Sequence, residues 1–216
     1  MGIGDLIEST LKEEVTMIPK KIHYIWFGRG EKSERVQKCI ESWKKYLPDY
    51  EIIEWNEDNF DVGMCDFTRK AYEEGKWAYV ADVARLWVLL NEGGIYMDTD
   101  VEVYKSLDEF LGEEAFMGFE DTNYLSTAVI GAEKDNPYIR LLLDFYRSID
   151  FIKYDIWTDY IKYEETSPCI QTNVYALLGL KRDGSKQRLK HLSVYPNSYF
   201  HTKDEGYTYH SFGGSW

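Results

Sequence analysis

Along this chain the apolar positions switch between a period of two and a period near three and a half, and each switch marks an element. After Pro19, Lys21 to Gly28 is dense in β-branched and aromatic residues and stops at glycine, which predicts a strand. Ser33 to Tyr46 takes up the helical period: Ser33 stands where a cap belongs, and Val36, Ile40, Trp43 and Leu47 recur three or four apart. Leu47-Pro48-Asp49 is a turn, Tyr50 to Trp55 a second strand, and Asn56-Glu57-Asp58-Asn59 ends it. Strand, helix, strand in this short span is a βαβ unit.

Helical patterns follow at 65–74 and 77–91, the second with Val80, Val83, Ala84, Trp87, Val88 and Leu90 as an apolar stripe. Gly93-Gly94 then supplies the left-handed residue that a helix carboxyl end needs. Ile95-Tyr96-Met97 predicts a short strand running into Asp98-Thr99-Asp100, with Val101 to Tyr104 extended beyond it. Strands are expected near 115–119, 127–131, 191–195 and 207–210, and helices over 136–148 and 170–178. Residues 1–17 read as a short arm or helix, and no repeat or linker divides 18–216, so that stretch is expected to be one domain.

Composition narrows the function classes. The 216 residues are 44% apolar and 16% aromatic, enough to bury a sizeable core. The net charge of −13 repels nucleic acid and anionic lipid. An acidic chain that holds a diphosphate needs local positive charge from a cation, from Arg or Lys, or from helix ends. Cys39, Cys65 and Cys169 are odd in number and form no CxxC, which predicts reduced thiols and no zinc site. No signal-like or membrane-spanning apolar run is present in the sequence, and a cytoplasmic protein is expected.

The chemistry gathers in one ordered string: Asp82-x-x-Arg85, then Gly93-Gly94-Ile95-Tyr96, then Asp98-Thr99-Asp100. Asp82 and Arg85, three apart on a helix, share a face. Asp98 and Asp100 leave the end of a strand, where α/β sheets gather their ligands. Two carboxylates one residue apart suit a hard divalent ion that keeps sites open for phosphate oxygens. Such an ion would neutralise a diphosphate leaving group, and no glycine-rich phosphate loop is there to do it instead. Each piece alone also has a plainer reading: a chance pair of turn aspartates, a surface ion pair, a helix stop.

The string resembles the DxD sugar-binding region of glycosyltransferase family 32, and its layout is similar to the catalytic core of the clostridial glucosylating toxins. The opening Ile18-Pro19-Lys20-Lys21-Ile22-His23-Tyr24-Ile25-Trp26 and the closing His210 … Ser215-Trp216 resemble that family's first strand and carboxyl-terminal signature. The resemblance implies an α/β fold of the GT-A type with a mixed central sheet flanked by helices. It implies retaining transfer of a hexose from a nucleotide sugar, UDP-hexose first and GDP-mannose second, with Mn²⁺ or Mg²⁺. By matching position, Asp100 would hold the metal, Asp98 the metal, donor sugar or ribose, and Asp82 and Arg85 the donor hexose and phosphate. Trp26 would stack on the nucleobase, or else it is a core residue. His210 would be a third metal ligand, or else a structural histidine. Ser215 and Trp216 would reach the metal shell and the phosphates from a tail made flexible by Phe212-Gly213-Gly214. The acceptor would be a glycan or lipid-linked glycan, in the manner of bacterial surface polysaccharide synthesis.

No spacing selects a nucleophile for a double displacement: Glu120, Asp121 and Gln171 are all open to that role, and a front-face route serves equally. The stretch 150–165, with Phe151, Tyr154, Trp157, Tyr160 and Tyr163, reads as helical core or as a wall facing an acceptor or a membrane surface. Two rival readings stand beside this one. A haloacid-dehalogenase-type phosphatase also places DxD after an apolar strand, but wants Thr or Val where this chain has Glu102. A non-catalytic nucleotide-sugar- or carbohydrate-binding protein would need the same fold without turnover.

Overall fold

The computed structural model describes residues 18–149, 166–203 and 205–212. The expected arm at 1–17, the aromatic stretch at 150–165, Gly213-Gly214, Ser215 and Trp216 lie outside the described residues.

The opening βαβ unit forms as the pattern predicts. Strand β1 (Lys21–Ile25) leads to helix α1 (Glu34–Tyr46), and strand β2 (Glu51–Trp55) returns parallel to β1. The Ser33 side chain accepts from the Val36 N–H, which fixes the helix start. Helices α2 (Asp66–Glu73) and α3 (Trp77–Glu92) follow, then β3 (Gly94–Met97) and β4 (Val101–Val103). Next come β5 (Ala115–Phe119), β6 (Leu125–Ala132) and α4 (Pro137–Ser148). Helix α5 (Ser167–Leu177), β7 (Gln187–Leu189), β8 (Leu192–Tyr195), the single turn α6 (Asn197–Phe200) and β9 (Thr208–His210) complete the described chain.

Seven strands make one sheet in the order β2-β1-β3-β6-β5-β8-β7, while β4 and β9 pair as a separate ribbon. The sheet is mixed. β1 runs parallel to β2 and β3, β6 is antiparallel to both β3 and β5, β8 is parallel to β5, and β7 is antiparallel to β8. Side-chain alternation sends Ile22, Tyr24, Ile95 and Met97 to one core, shared with Val36, Cys39 and Trp43 of α1. Ile25, Tyr96 and Ile130 face the other core, filled by α2, α3 and α4. Both faces of the sheet are therefore covered, as its short apolar strands require.

Helix α3 departs from the single stripe the sequence suggests. Val80, Ala81, Val83 to Leu86 and Val88 to Leu90 are all buried, because α2 and α4 flank it while the sheet lies beneath. A helix so enclosed carries its charged residues into the protein. It ends at Gly93 (φ 63) and Gly94 (φ 113), and a Cβ on Gly94 would come within 2.8 Å of His23 Nε2. Glycine is needed there on both counts, conformation and space. Sequence reading missed β7 and α6, each too short to show a period. Among the described residues no helix is long and apolar enough to cross a membrane.

Candidate active site

The parallel pairing of β1 with β3 sets His23 beside Tyr96, so Trp26 and Asp98 leave the sheet at the same edge. This is the carboxyl edge of the parallel strands, where such folds hold ligands. Asp98 extends the ladder by one step, its N–H donating to the Ala128 carbonyl at 2.9 Å. The chain then turns, and the Val101 N–H donates back to the Asp98 carbonyl at 3.1 Å. Asp98-Thr99-Asp100 is thus a tight corner between β3 and β4.

Arg85 organises the floor beneath that corner. Its guanidinium lies 2.8 Å from Asp82 Oδ1 and 3.6 Å from Asp98 Oδ1, and it donates to the Thr127 carbonyl at 2.8 Å and the Ala81 carbonyl at 3.2 Å. The guanidinium carbon also sits 4.7 Å from the centre of the Tyr96 ring. Tyr96 donates its hydroxyl to Asp98 Oδ1 at 2.6 Å. The side chains of Arg85 and Asp82 are 6% and 14% exposed, which overturns the surface-pair reading of these two residues. Burial opposes the Arg85 charge, but Tyr96, Asp98 and Asp82 outweigh it and hold the guanidinium firmly protonated. Burial lifts the Asp82 carboxyl to about 6, and Asp98 adds to that, against the pull of Arg85.

The ribbon brings in the third group. β4 and β9 pair with Val101 opposite His210, and His210 Nε2 comes to 3.1 Å from Asp100 Oδ1. Ser211 closes the corner from the same strand end, its hydroxyl donating to the Asp100 carbonyl at 2.8 Å. Burial works to lower the His210 pKa, but the Asp100 hydrogen bond and the charges of Asp98, Asp100 and Glu120 raise it overall. One ligand atom from each of Asp98, Asp100 and His210 lies within 4.8 Å of the others. Two carboxylate oxygens and an imidazole nitrogen fit a divalent ion such as Mn²⁺, and the one-fifth-exposed side chain of Asp98 leaves the site an open side.

Other sequence candidates fall in different places. Trp26 is 8% exposed, donates its indole N–H to the Gly30 carbonyl at 2.7 Å, and packs in the α1-side core. The Lys32 ammonium lies 5.5 Å over its ring. Glu120 is half-buried; burial raises its carboxyl pKa, against the pull of His210. Asp121 spends one carboxylate oxygen on its own loop, accepting from Asn123 N–H and Tyr124 N–H at 2.6 and 2.9 Å. Gln171 is fully buried on α5, with Nε2 on Ser167 Oγ at 3.2 Å. A cavity of about 520 Å³ opens between Glu120-Asp121-Thr122 and Pro196-Asn197-Ser198.

Two residues near the site escaped the sequence reading. The Tyr96 bond to Asp98 was legible, because residues two apart on a strand share a face. His201 carried no such signal. It lies beside His210 with ring centroids 5.9 Å apart, and burial, helped by His210, lowers its pKa to about 4.

Residues 33–117 match the family described as a glycosyltransferase sugar-binding region containing a DXD motif. The chain is 29% identical over 129 residues to inositol phosphoceramide mannosyltransferase 3 of Schizosaccharomyces pombe, covering 56% of this chain and 35% of that protein. It is 25% identical over 222 residues to inositol phosphoceramide mannosyltransferase 2 of the same yeast, covering 88% and 60%. The chain therefore spans roughly a third to three-fifths of the length of these curated relatives. Among solved structures, the PaToxG glycosyltransferase is similar with a TM-score of 0.57 at 20% identity, over 80% of this chain and 76% of that one. The fold is the GT-A fold.

Proposed function

We propose that this chain, which carries a DXD glycosyltransferase region, transfers a hexose from a nucleotide-diphosphate sugar to a glycan or glycolipid acceptor with a divalent ion bound at Asp98, Asp100 and His210. The convergence of those three side chains on one point, at the carboxyl edge of the sheet, carries the reading. An ion there would supply the positive charge that a leaving diphosphate needs at a corner whose buried cation, Arg85, is already taken up by Asp82 and Asp98.

The protein's own groups have separable tasks. Arg85, buried and held on four sides, fixes the Asp98 carboxylate and is itself too firmly anchored to swing. Tyr96 takes one Asp98 oxygen, leaving the second for the ion or a donor hydroxyl. Asp82 lies next in line to hydrogen-bond the hexose, and its raised pKa suits a group that can donate as well as accept. Glu120 stands between the cavity and the cluster, where an acceptor hydroxyl would arrive. With Glu120 kept available, both a double displacement and a front-face substitution fit, and retention is the expected outcome of either. Trp26 would serve the nucleobase only along the edge that Lys32 leaves uncovered.

Mannose is favoured as the transferred sugar by the two mannosyltransferase relatives, with UDP-hexoses as the other donors to try. The deciding experiment incubates the protein with Mn²⁺ and GDP-mannose or individual UDP-hexoses and follows release of the nucleoside diphosphate. Release that stops in EDTA is expected. Tight nucleotide binding with no turnover of any donor would instead make this a binding protein.

A further inference from the structure

His210 uses Nε2 toward Asp100, while its Nδ1 is buried without a hydrogen-bond partner. His201 is 8% exposed, and neither of its ring nitrogens has a partner. The two rings meet edge to face at 5.9 Å. Phe212 covers them both, 4.3 Å from His210 and 6.1 Å from His201 between ring centres. The placement is built into the fold. His201 caps α6 through its N–H to the Asn197 carbonyl at 2.9 Å, and Thr208 of β9 donates its hydroxyl to the Phe200 carbonyl at 2.8 Å.

Buried polar atoms in folded proteins are nearly always paired, and three bare imidazole nitrogens on two touching rings are an exception that calls for an explanation. Loading the neighbouring site supplies one. A histidine that ligates through Nε2 carries its proton on Nδ1, and that N–H is almost always given to an acceptor. Of the two rings packed against His210, Phe212 offers no acceptor, whereas His201, 5.9 Å away between centroids, carries two unpaired nitrogens.

We propose that His201 is the positioning residue of the metal centre: its bare ring nitrogen accepts the His210 Nδ1–H and holds the His210 ring toward Asp98 and Asp100. The proposal rests on the reading of those three residues as a metal site. His201 touches neither ion nor substrate in this arrangement and acts through His210 alone.

The test measures Mn²⁺ affinity by calorimetry, without any donor sugar. The proteins compared are the parent, His201→Phe and His201→Leu, which lack an acceptor, His201→Gln, which has one, and Asp100→Asn. The Phe and Leu variants should bind Mn²⁺ about 10- to 100-fold more weakly, the usual loss for an outer partner of a ligating histidine. Their melting temperatures should stay within about 3 °C of the parent. His201→Gln should stay within about threefold of the parent, since its amide oxygen accepts. Parent-like affinity in both Phe and Leu variants, or a Gln variant as weak as they are, overturns the role of His201. A parent protein that binds no Mn²⁺, or an Asp100→Asn variant that binds as tightly as the parent, overturns the metal site itself. In the parent loaded with Zn²⁺, ¹⁵N NMR should also show a coupling between His210 Nδ1 and a His201 nitrogen; a His210 ring protonated at Nε2 overturns the proposal whatever the variants do.

Discussion

His210 Nε2 stands 3.1 Å from Asp100 Oδ1, delivered there by the pairing of β9 with β4 rather than by anything near Asp100 in sequence. A carboxylate and an imidazole held this close in a nearly closed corner share whatever occupies the space between them and Asp98.

Asp100→Asn should remove that capacity and leave the fold alone. The amide keeps the side-chain shape but loses the charge that recruits a cation. Donor turnover in Mn²⁺ should drop by more than about 100-fold, beyond what losing an outer partner of a metal ligand costs, with the melting temperature nearly unchanged. Normal turnover in this variant, or full activity of the parent in EDTA, would contradict the metal site.

Arg85→Leu should be costly to stability. The substitution strips the partner from a buried carboxylate at Asp82 and leaves it facing Asp98. Breaking a buried pair in this way costs about 3–5 kcal/mol, against about 0–1 kcal/mol for an exposed one. Adding Asp82→Asn should recover part of the loss by removing the stranded charge. Urea unfolding of the two variants decides it, and a single-variant loss under about 1 kcal/mol would return the pair to the surface class.

His23 should resist protonation. It receives the Trp55 indole N–H on Nδ1 at 3.1 Å and faces the Gly93 carbonyl with Nε2 at 2.8 Å, an arrangement only the Nε2–H tautomer satisfies. Burial lowers its pKa, outweighing the opposite pull of the Gly93 bond. With the folded pKa below the ordinary 6.5, its contribution to stability is complete above pH 6.5. It is lost as pH falls from there through the folded pKa, because the unfolded chain takes up the proton first. NMR titration of the ring should find the Nε2–H form losing its neutrality only below pH 6.5; titration at or above 6.5 would rule this out.

Gly94→Ala should destabilise by more than about 1 kcal/mol, since alanine meets both a positive φ of 113° and a contact of 2.8 Å to His23 Nε2. Gly30→Ala is the matching control, with open space around the added carbon. Equal melting temperatures for the two variants would show that the glycine after α3 is not required.

Much of this was legible beforehand because it is local. Ser33 capping α1, the extent of α3, the Gly93-Gly94 stop and the strand into Asp98 are each written within a few residues, where hydrogen bonds and dihedral preferences act. The mixed order of the sheet was less so, since antiparallel β6 inserts beside β3 through contacts between distant segments.

By itself, then, the amino-acid order determined the longer elements, the acidic corner at residues 98 to 100 and the glycines that let the chain enter it. Only the tertiary structure decided that Arg85 would be buried under that corner and that His210, with His201 behind it, would close it. Burial and cross-strand register depend on which faces meet when the chain packs, and no local period in the sequence encodes that meeting.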